Sequence, residues 1–153
     1  LDFTRRLILL RITHPVLRRR RWFQGHSIRG TVDLGWCKPD GTEMTDEDWT
    51  GWPANSVGVF FNGDAITDPD PRGHRVTDES FLLLFNAHPE AIDWTLPKQW
   101  GRLWEVVLDT ADGGRDPGSR REGSVFDSGQ AFPVAGRSLV VFLRRIDEVS
   151  AAG

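Results

Sequence analysis

Apolar positions in this chain fall into two regimes. Residues 2 to 13 carry them at helical spacing, and from residue 34 onward they come in short runs separated by Pro, Gly, Asp and Asn. In the first regime Phe3, Leu7 and Leu10 recur at i, i+4, i+7, and Asp2 is placed to act as N-cap. Ile8 and Ile12 widen the apolar face, so this helix asks for a large partner surface. Pro15 ends it, because the residue before proline avoids the α region. His14-Pro15-Val16-Leu17 then reads as an apolar knuckle folding back on the helix. In the second regime the strand candidates are Leu34 to Cys37, Val57 to Phe61, Ser80 to Ala87, Ala91 to Leu96, Arg102 to Asp109, Ala131 to Val134 and Arg137 to Arg145. Ile92, Trp94 and Leu96 alternate onto one face. Pro39-Asp40-Gly41 is a turn, since Pro presets φ and Gly accepts positive φ. Thr45 or Asp46 caps a single helical turn through Trp49. Ala135-Gly136 reads as a tight turn joining the last two strands. Residues 66 to 78 form a polar loop, and residues 110 to 124, nearly devoid of apolar side chains, are expected to be a mobile loop. The pattern predicts a mainly β protein, an antiparallel β-sandwich preceded by one α-helix.

Composition narrows this picture. The 153 residues suit one domain, and a 39% apolar fraction with nine Phe and seven Trp is enough for a real core. No run of apolar residues is long enough to span a bilayer, and no signal-peptide pattern follows Leu1, so no membrane partner is expected. A Leu rather than Met start suggests a piece of a longer chain. The net charge of −3 provides no strong field for nucleic acid. Arg18 to Arg21 is the one dense basic run. With no second cluster of that density, it reads as a solvated turn or as ion-pair partners for a neighbouring domain, not as a phosphate site. The single Cys37, beside Trp36 in an apolar run, reads as a buried structural thiol; it fits a reducing, cytoplasmic setting.

The candidate chemistry is sparse. Asp46, Glu47 and Asp48 are consecutive, and neighbours on a helical turn point in different directions, so they do not make a facing acid and base. Asp68, Asp70, Asp78 and Glu79 lie in or beside a Pro-rich loop but lack the ligand spacing of a calcium loop. His14, His26, His74 and His88 form no pair with zinc spacing. No catalytic residue, metal site or cofactor is therefore assigned. Trp94, Trp100 and Trp104 sit on strand signals and read as core. Trp49 and Trp52 lie in irregular sequence and are the candidate substrate-binding residues, because an exposed indole face complements the apolar face of a sugar ring. Packing in the local core or against a neighbouring domain is the other reading for both.

Several blocks occur in a fixed order: Leu10 to Leu17 (LRITHPVL), Trp22-Phe23-Gln24-Gly25, Pro39-Asp40-Gly41 followed by Glu43-Met44, Asp48-Trp49, Asn62-Gly63, Asp78 to His88 (DESFLLLFNAH) and Trp104 to Thr110 (WEVVLDT). Together they resemble the C-terminal part of isoamylase-type glycogen debranching enzymes, of the alpha-amylase superfamily of glycoside hydrolases. The resemblance implies that residues 1–24 hold the last helix of an upstream (β/α)8 barrel plus a connector, and that residues 25–153 are the alpha-amylase-type C-terminal β-sandwich. It implies that Phe3, Leu7 and Leu10 form the interface to that barrel. The parent would be a glycoside hydrolase cleaving α-1,6 branch linkages of glycogen or limit dextrin. Its catalytic carboxylates would lie at barrel strand ends, outside these residues, so this chain alone is expected to be inactive. The partners implied are the upstream barrel and, through the parent, an α-glucan. The sandwich would stabilise the barrel and help to bind glucan. The alternatives are a stand-alone glucan-binding module, which the Trp content suggests, and a protein-interaction β-domain that uses the first helix.

Overall fold

The computed structural model describes residues 1–25, 32–51, 55–112 and 121–146. In chain order the elements are helix α1 (Asp2–Thr13), a 3-10 turn (Pro15–Arg18), β1 (Leu34–Cys37), helix α2 (Asp46–Gly51), β2 (Ser56–Phe61), β3 (Phe81–Asn86), β4 (Ile92–Thr95), β5 (Leu103–Asp109), β6 (Val125–Asp127), β7 (Ala131–Val134) and β8 (Ser138–Arg145). Six strands form one antiparallel sheet in the order β1-β2-β3-β8-β5-β6, and β4 and β7 pair as a second, two-stranded sheet. This is the expected mainly β, sandwich-like architecture with a helix at its N-terminus.

Strand alternation places the core. From the large sheet, Cys37, Phe60, Leu82, Leu84, Trp104, Val106, Val140 and Phe142 face the small sheet, which contributes Trp94, Phe132 and Val134. Phe60 stacks on Trp100 with ring centroids 4.9 Å apart, and Trp104 meets Phe60 edge-on. Burying each such side chain is worth about 1.5–3 kcal/mol. Gly35 allows this arrangement: a Cβ there would collide with the Trp100 ring. The Trp94, Trp100 and Trp104 side chains are thus core, as expected, although Trp100 lies in the turn before β5 and not on a strand.

The opposite face of the large sheet is also apolar. Phe81 and Leu83 of β3, Val141 and Leu143 of β8, and Val107 and Leu108 of β5 meet Phe3 and Leu10 of α1 and Val16 of the 3-10 turn. A β-bulge feeds this face. The register of β5 against β8 slips between Val106 and Leu108. An unbroken alternation would send Leu108 inward after Trp104 and Val106; the bulge turns it outward, toward α1.

Four sequence expectations change. Asp2 is not the N-cap of α1: Leu1 holds that place, and Asp2 lies in the first turn, pairing with Arg5 at 3.3 Å. There it still favours the helix dipole. Ala135-Gly136 does not close a hairpin, because β7 pairs with β4 and β8 with β3 and β5. The turn carries the chain between layers, with Arg137 in the left-handed region at φ 54°. β6, a three-residue strand at the sheet edge, was not anticipated. The loop expected at 110–124 begins with a 3-10 turn at Thr110–Asp112, and its residues 113–120 lie outside the described residues.

Asn86 holds the two layers in register. Its Nδ2 donates to the carbonyl oxygens of Glu90 (2.9 Å), Val134 (3.1 Å) and Ala135 (3.1 Å), and its Oδ1 accepts from the His88 amide (2.9 Å). It is almost fully buried at the end of β3.

Candidate functional site

Helix α1 presents two different apolar surfaces. Phe3 and Leu10 are half-buried against the sheet, and Leu7 is exposed. Ile8, Leu9 and Ile12 are exposed and, at 100° per residue, lie away from the Phe3–Leu10 side. The face that the sequence treated as continuous is therefore divided between the sheet and solvent. The helix is also tied down by polar contacts. Arg6 reaches Glu122 at 2.7 Å. Beyond its C-terminus, His14 Nδ1 lies 2.9 Å from Asp78 Oδ1, and the Val16 amide donates to Asp78 Oδ2 at 3.0 Å. The His14 ring packs edge-on against Phe81, 4.7 Å between centroids.

The segment after the 3-10 turn is anchored by a buried ion pair. The Arg19 and Asp33 side chains are each 3% exposed, with Nη1 3.3 Å from Oδ2. Asp33 also accepts from the amides of Gln24 (2.9 Å) and Gly25 (3.1 Å). The Arg19 guanidinium lies 4.5 Å from the Phe23 ring centroid, and Phe23 packs on Phe61. The run Arg18–Arg21 also lines a groove of about 790 Å³ against the loop of Ile66, Asp68 and Pro69.

Trp49, at the end of α2, is 52% exposed and leans edge-on against Trp36, with ring centroids 5.3 Å apart. Trp52 lies outside the described residues. The structure thus brings Trp49 to Trp36, a contact that sequence spacing did not suggest, across the strand and helix that flank the Pro39-Asp40-Gly41 turn. That turn forms as expected, with Gly41 at φ 83°.

The acidic residues are occupied locally. Asp48 accepts from the Thr45 amide (2.8 Å) and hydroxyl (2.9 Å) and pairs with Lys38 at 3.1 Å. These bonds, the Thr45 amide first, hold its carboxyl below the usual carboxylate range. Asp48 is thus the third-position acid of a capping box, not half of a catalytic pair. Asp70 is likewise held low, first by the His74 amide, then by the Arg72 amide, within its own loop. Among the described residues no three His, Cys, Asp or Glu side chains group as metal ligands.

Cys37 is buried, and desolvation first, then Asp40 and Glu43, push its thiol up to about 12 from an ordinary 9.0. The unfolded chain loses this proton near pH 9, and the folded chain holds it to about pH 12. Its contribution to stability is therefore complete below pH 9 and declines as pH rises toward 12, by about 1.4 kcal/mol per pH unit for one proton. A thiol reagent at pH 8 is expected to leave the native chain unlabelled and to label one equivalent in denaturant. Stoichiometric labelling of the native chain would show Cys37 to be accessible.

The geometry defines a sandwich-like module with an N-terminal helix docked on the outer face of its large sheet. The family model described as Isoamylase, C-terminal, matches residues 33–143. The chain belongs to that family: it is an isoamylase-type C-terminal domain. It is 47% identical over 116 residues to the glycogen operon protein GlgX homolog of Mycobacterium tuberculosis (strain ATCC 25618 / H37Rv), covering 73% of this chain and 16% of that protein. It is 25% identical over 150 residues to the isoamylase of Pseudomonas amyloderamosa, covering 94% of this chain and 17% of that enzyme. With the isoamylase of a Flavobacterium species the identity is 28% over 120 residues, 75% of this chain and 14% of the relative. The chain therefore spans about one-sixth of the length of these curated relatives. No helix among the described residues is long and apolar enough to cross a membrane.

Proposed function

We propose that this chain is the non-catalytic C-terminal module of a glycoside hydrolase that cleaves α-1,6 branch linkages of glycogen, and that it braces an upstream catalytic barrel in the cytoplasm. The observation that carries this reading is the second apolar face of α1. α1 already spends one side, Phe3 and Leu10, on its own sheet. Ile8, Leu9 and Ile12 remain for a neighbour, and an apolar patch of this kind marks an interface. Residues 1–24 serve as the last barrel helix plus connector, and Leu7, at the margin of the docked face, belongs to the barrel contact with Ile8 and Ile12. The relatives supply the chemistry: they include isoamylases and a glycogen operon protein, all far longer than this chain.

The test compares this chain with the full polypeptide its gene encodes, assayed for reducing ends released from glycogen limit dextrin. The expected result is hydrolysis by the full polypeptide and none by this chain. Ile8→Asp with Ile12→Asp in the full polypeptide should lower its thermal midpoint. Hydrolysis by this chain alone, or indifference of the full polypeptide to both aspartates, would sink the reading.

A glucan contact on the module is the second reading, and Trp49 favours it, half-exposed and propped against Trp36. It predicts retardation of this chain in a glycogen-containing gel and loss of retardation in Trp49→Ala. Unretarded migration would leave Trp49 a packing residue.

A further inference from the structure

The segment from Arg18 to Phe23 alternates in what it touches. Arg19 is buried on Asp33, Arg21 Nε pairs with Asp68 at 3.2 Å, and Phe23 packs on Phe61. Arg18 and Arg20 are exposed and have no hydrogen bond or ion pair with any described residue. Trp22 is 94% exposed. Every second side chain is thus fastened to the sandwich, and the intervening ones are held out in solvent. The fastening is costly to maintain, since it buries a charged pair and leaves the Arg19 Nε without a partner among the described residues. What it achieves is a fixed display of two guanidinium groups and one indole.

We infer that Arg18, Arg20 and Trp22 form a clasp that fastens this module to the catalytic portion of the same polypeptide, with the two guanidiniums meeting carboxylates and the indole entering an apolar slot. The inference rests on the reading in the preceding subsection and names the partner surface. Trp and Arg are the side chains that most often carry binding energy at protein interfaces. A 94% exposed Trp in water is the unbound state of such an anchor. The clasp lies outside residues 33–143, which match the C-terminal family, and follows directly on the uncovered face of α1. About five-sixths of each relative's length lies beyond the part this chain matches, ample for the partner surface.

Other ligands fit less well. A sugar on Trp22 would need hydroxyl acceptors beside the ring, and the nearby carboxylates, Asp33 and Asp68, are already taken by Arg19 and Arg21. An anionic polymer would meet a chain of net charge −3, with no dense basic run beyond Arg18–Arg21 to hold it.

The experiment labels both this chain and the full polypeptide with 5-fluorotryptophan and assigns the Trp22 resonance by Trp22→Phe. The change in its 19F shift between H2O and D2O reports solvent contact. The expected result is a full solvent shift in this chain and its loss in the full polypeptide. Trp22→Ala and the pair Arg18→Ala/Arg20→Ala should each speed protease separation of module from catalytic portion by roughly tenfold or more, the loss of an interface anchor. A Trp22 that keeps its solvent shift in an enzyme active on α-1,6 linkages overturns the clasp and leaves the debranching reading intact. A shielded Trp22 in a polypeptide inactive on those linkages upholds the clasp surface and overturns that reading instead. A Trp22 resonance in this chain that moves on adding maltooligosaccharide replaces the clasp with a sugar platform.

Discussion

Replacing Asp33 by alanine is expected to destabilise the chain by about 3–5 kcal/mol, the range for breaking a buried ion pair on one side. Among the described residues Asp33 is the sole charge partner of the buried Arg19 side chain, and its two oxygens also satisfy the Gln24 and Gly25 amides. Without it a guanidinium whose Nε has no partner among the described residues stays inside with no counter-charge among them. Natural domains hold about 5–15 kcal/mol in total, so the urea midpoint should fall by a large fraction. Adding Arg19→Met should recover much of the loss, because the penalty lies in the orphaned charge more than in the lost attraction. A change within about 1 kcal/mol for Asp33→Ala would mean that the pair is better hydrated than its burial indicates.

Asn86→Leu should cost about as much for a different reason. The side chain is close in volume, so little cavity forms. However, the Glu90 and Val134 carbonyl oxygens and the His88 amide lose this partner where β3 meets the small sheet, while the Ala135 carbonyl keeps the Ser138 hydroxyl. Each buried group left unsatisfied costs about 1–3 kcal/mol, and about 3–6 kcal/mol is expected after partial relaxation toward water. Thermal unfolding followed by near-ultraviolet circular dichroism is the suitable readout, since Trp94 reports the small sheet. Asn86→Asp, which sets a buried carboxylate against the same carbonyl oxygens, should cost at least as much. An unchanged midpoint for Asn86→Leu would show that water replaces the amide without loss.

How far the fold was legible depends on whether a feature is local. Helix α1 is announced by its apolar spacing and by Pro15. β2 and β3 are announced by apolar runs with Asn62-Gly63 and Asn86-Ala87 behind them. Strand partners are not local. Ala135-Gly136 has the chemistry of a hairpin turn, and only the competition of Phe132 and Val134 for the inner core sends β7 to β4. β6 is short, at a sheet edge and flanked by polar residues, so it has almost no periodic signal. The bulge at Val107 lies inside an uninterrupted apolar strand, where nothing marks the slip.

The candidate site was partly legible. Phe3, Leu7 and Leu10 were recognisable as one stripe, but the sequence holds no record of which side the sheet would claim. The Arg18–Arg21 run reads as uniform charge; its division into fastened and free side chains depends on Asp33 and Asp68, far along the chain. The signal that could have exposed it is the aromatic pair Trp22-Phe23 continuing the same alternation. Asp78 was read only as a loop carboxylate, although it receives both His14 and the Val16 amide.

The position of β8 has a consequence in time. It is the last strand described, yet it lies in the middle of the large sheet, between β3 and β5. On a ribosome Phe81 can pair early with Phe61 of β2, but its other edge must wait for Leu143, and such long-range pairing is slow compared with local helix formation. Until that strand emerges, α1 has no complete sheet to rest on, and everything encoded before it has had longer to fold. A premature stop shortly before Ser138 would remove the strand on which both halves of the sheet depend.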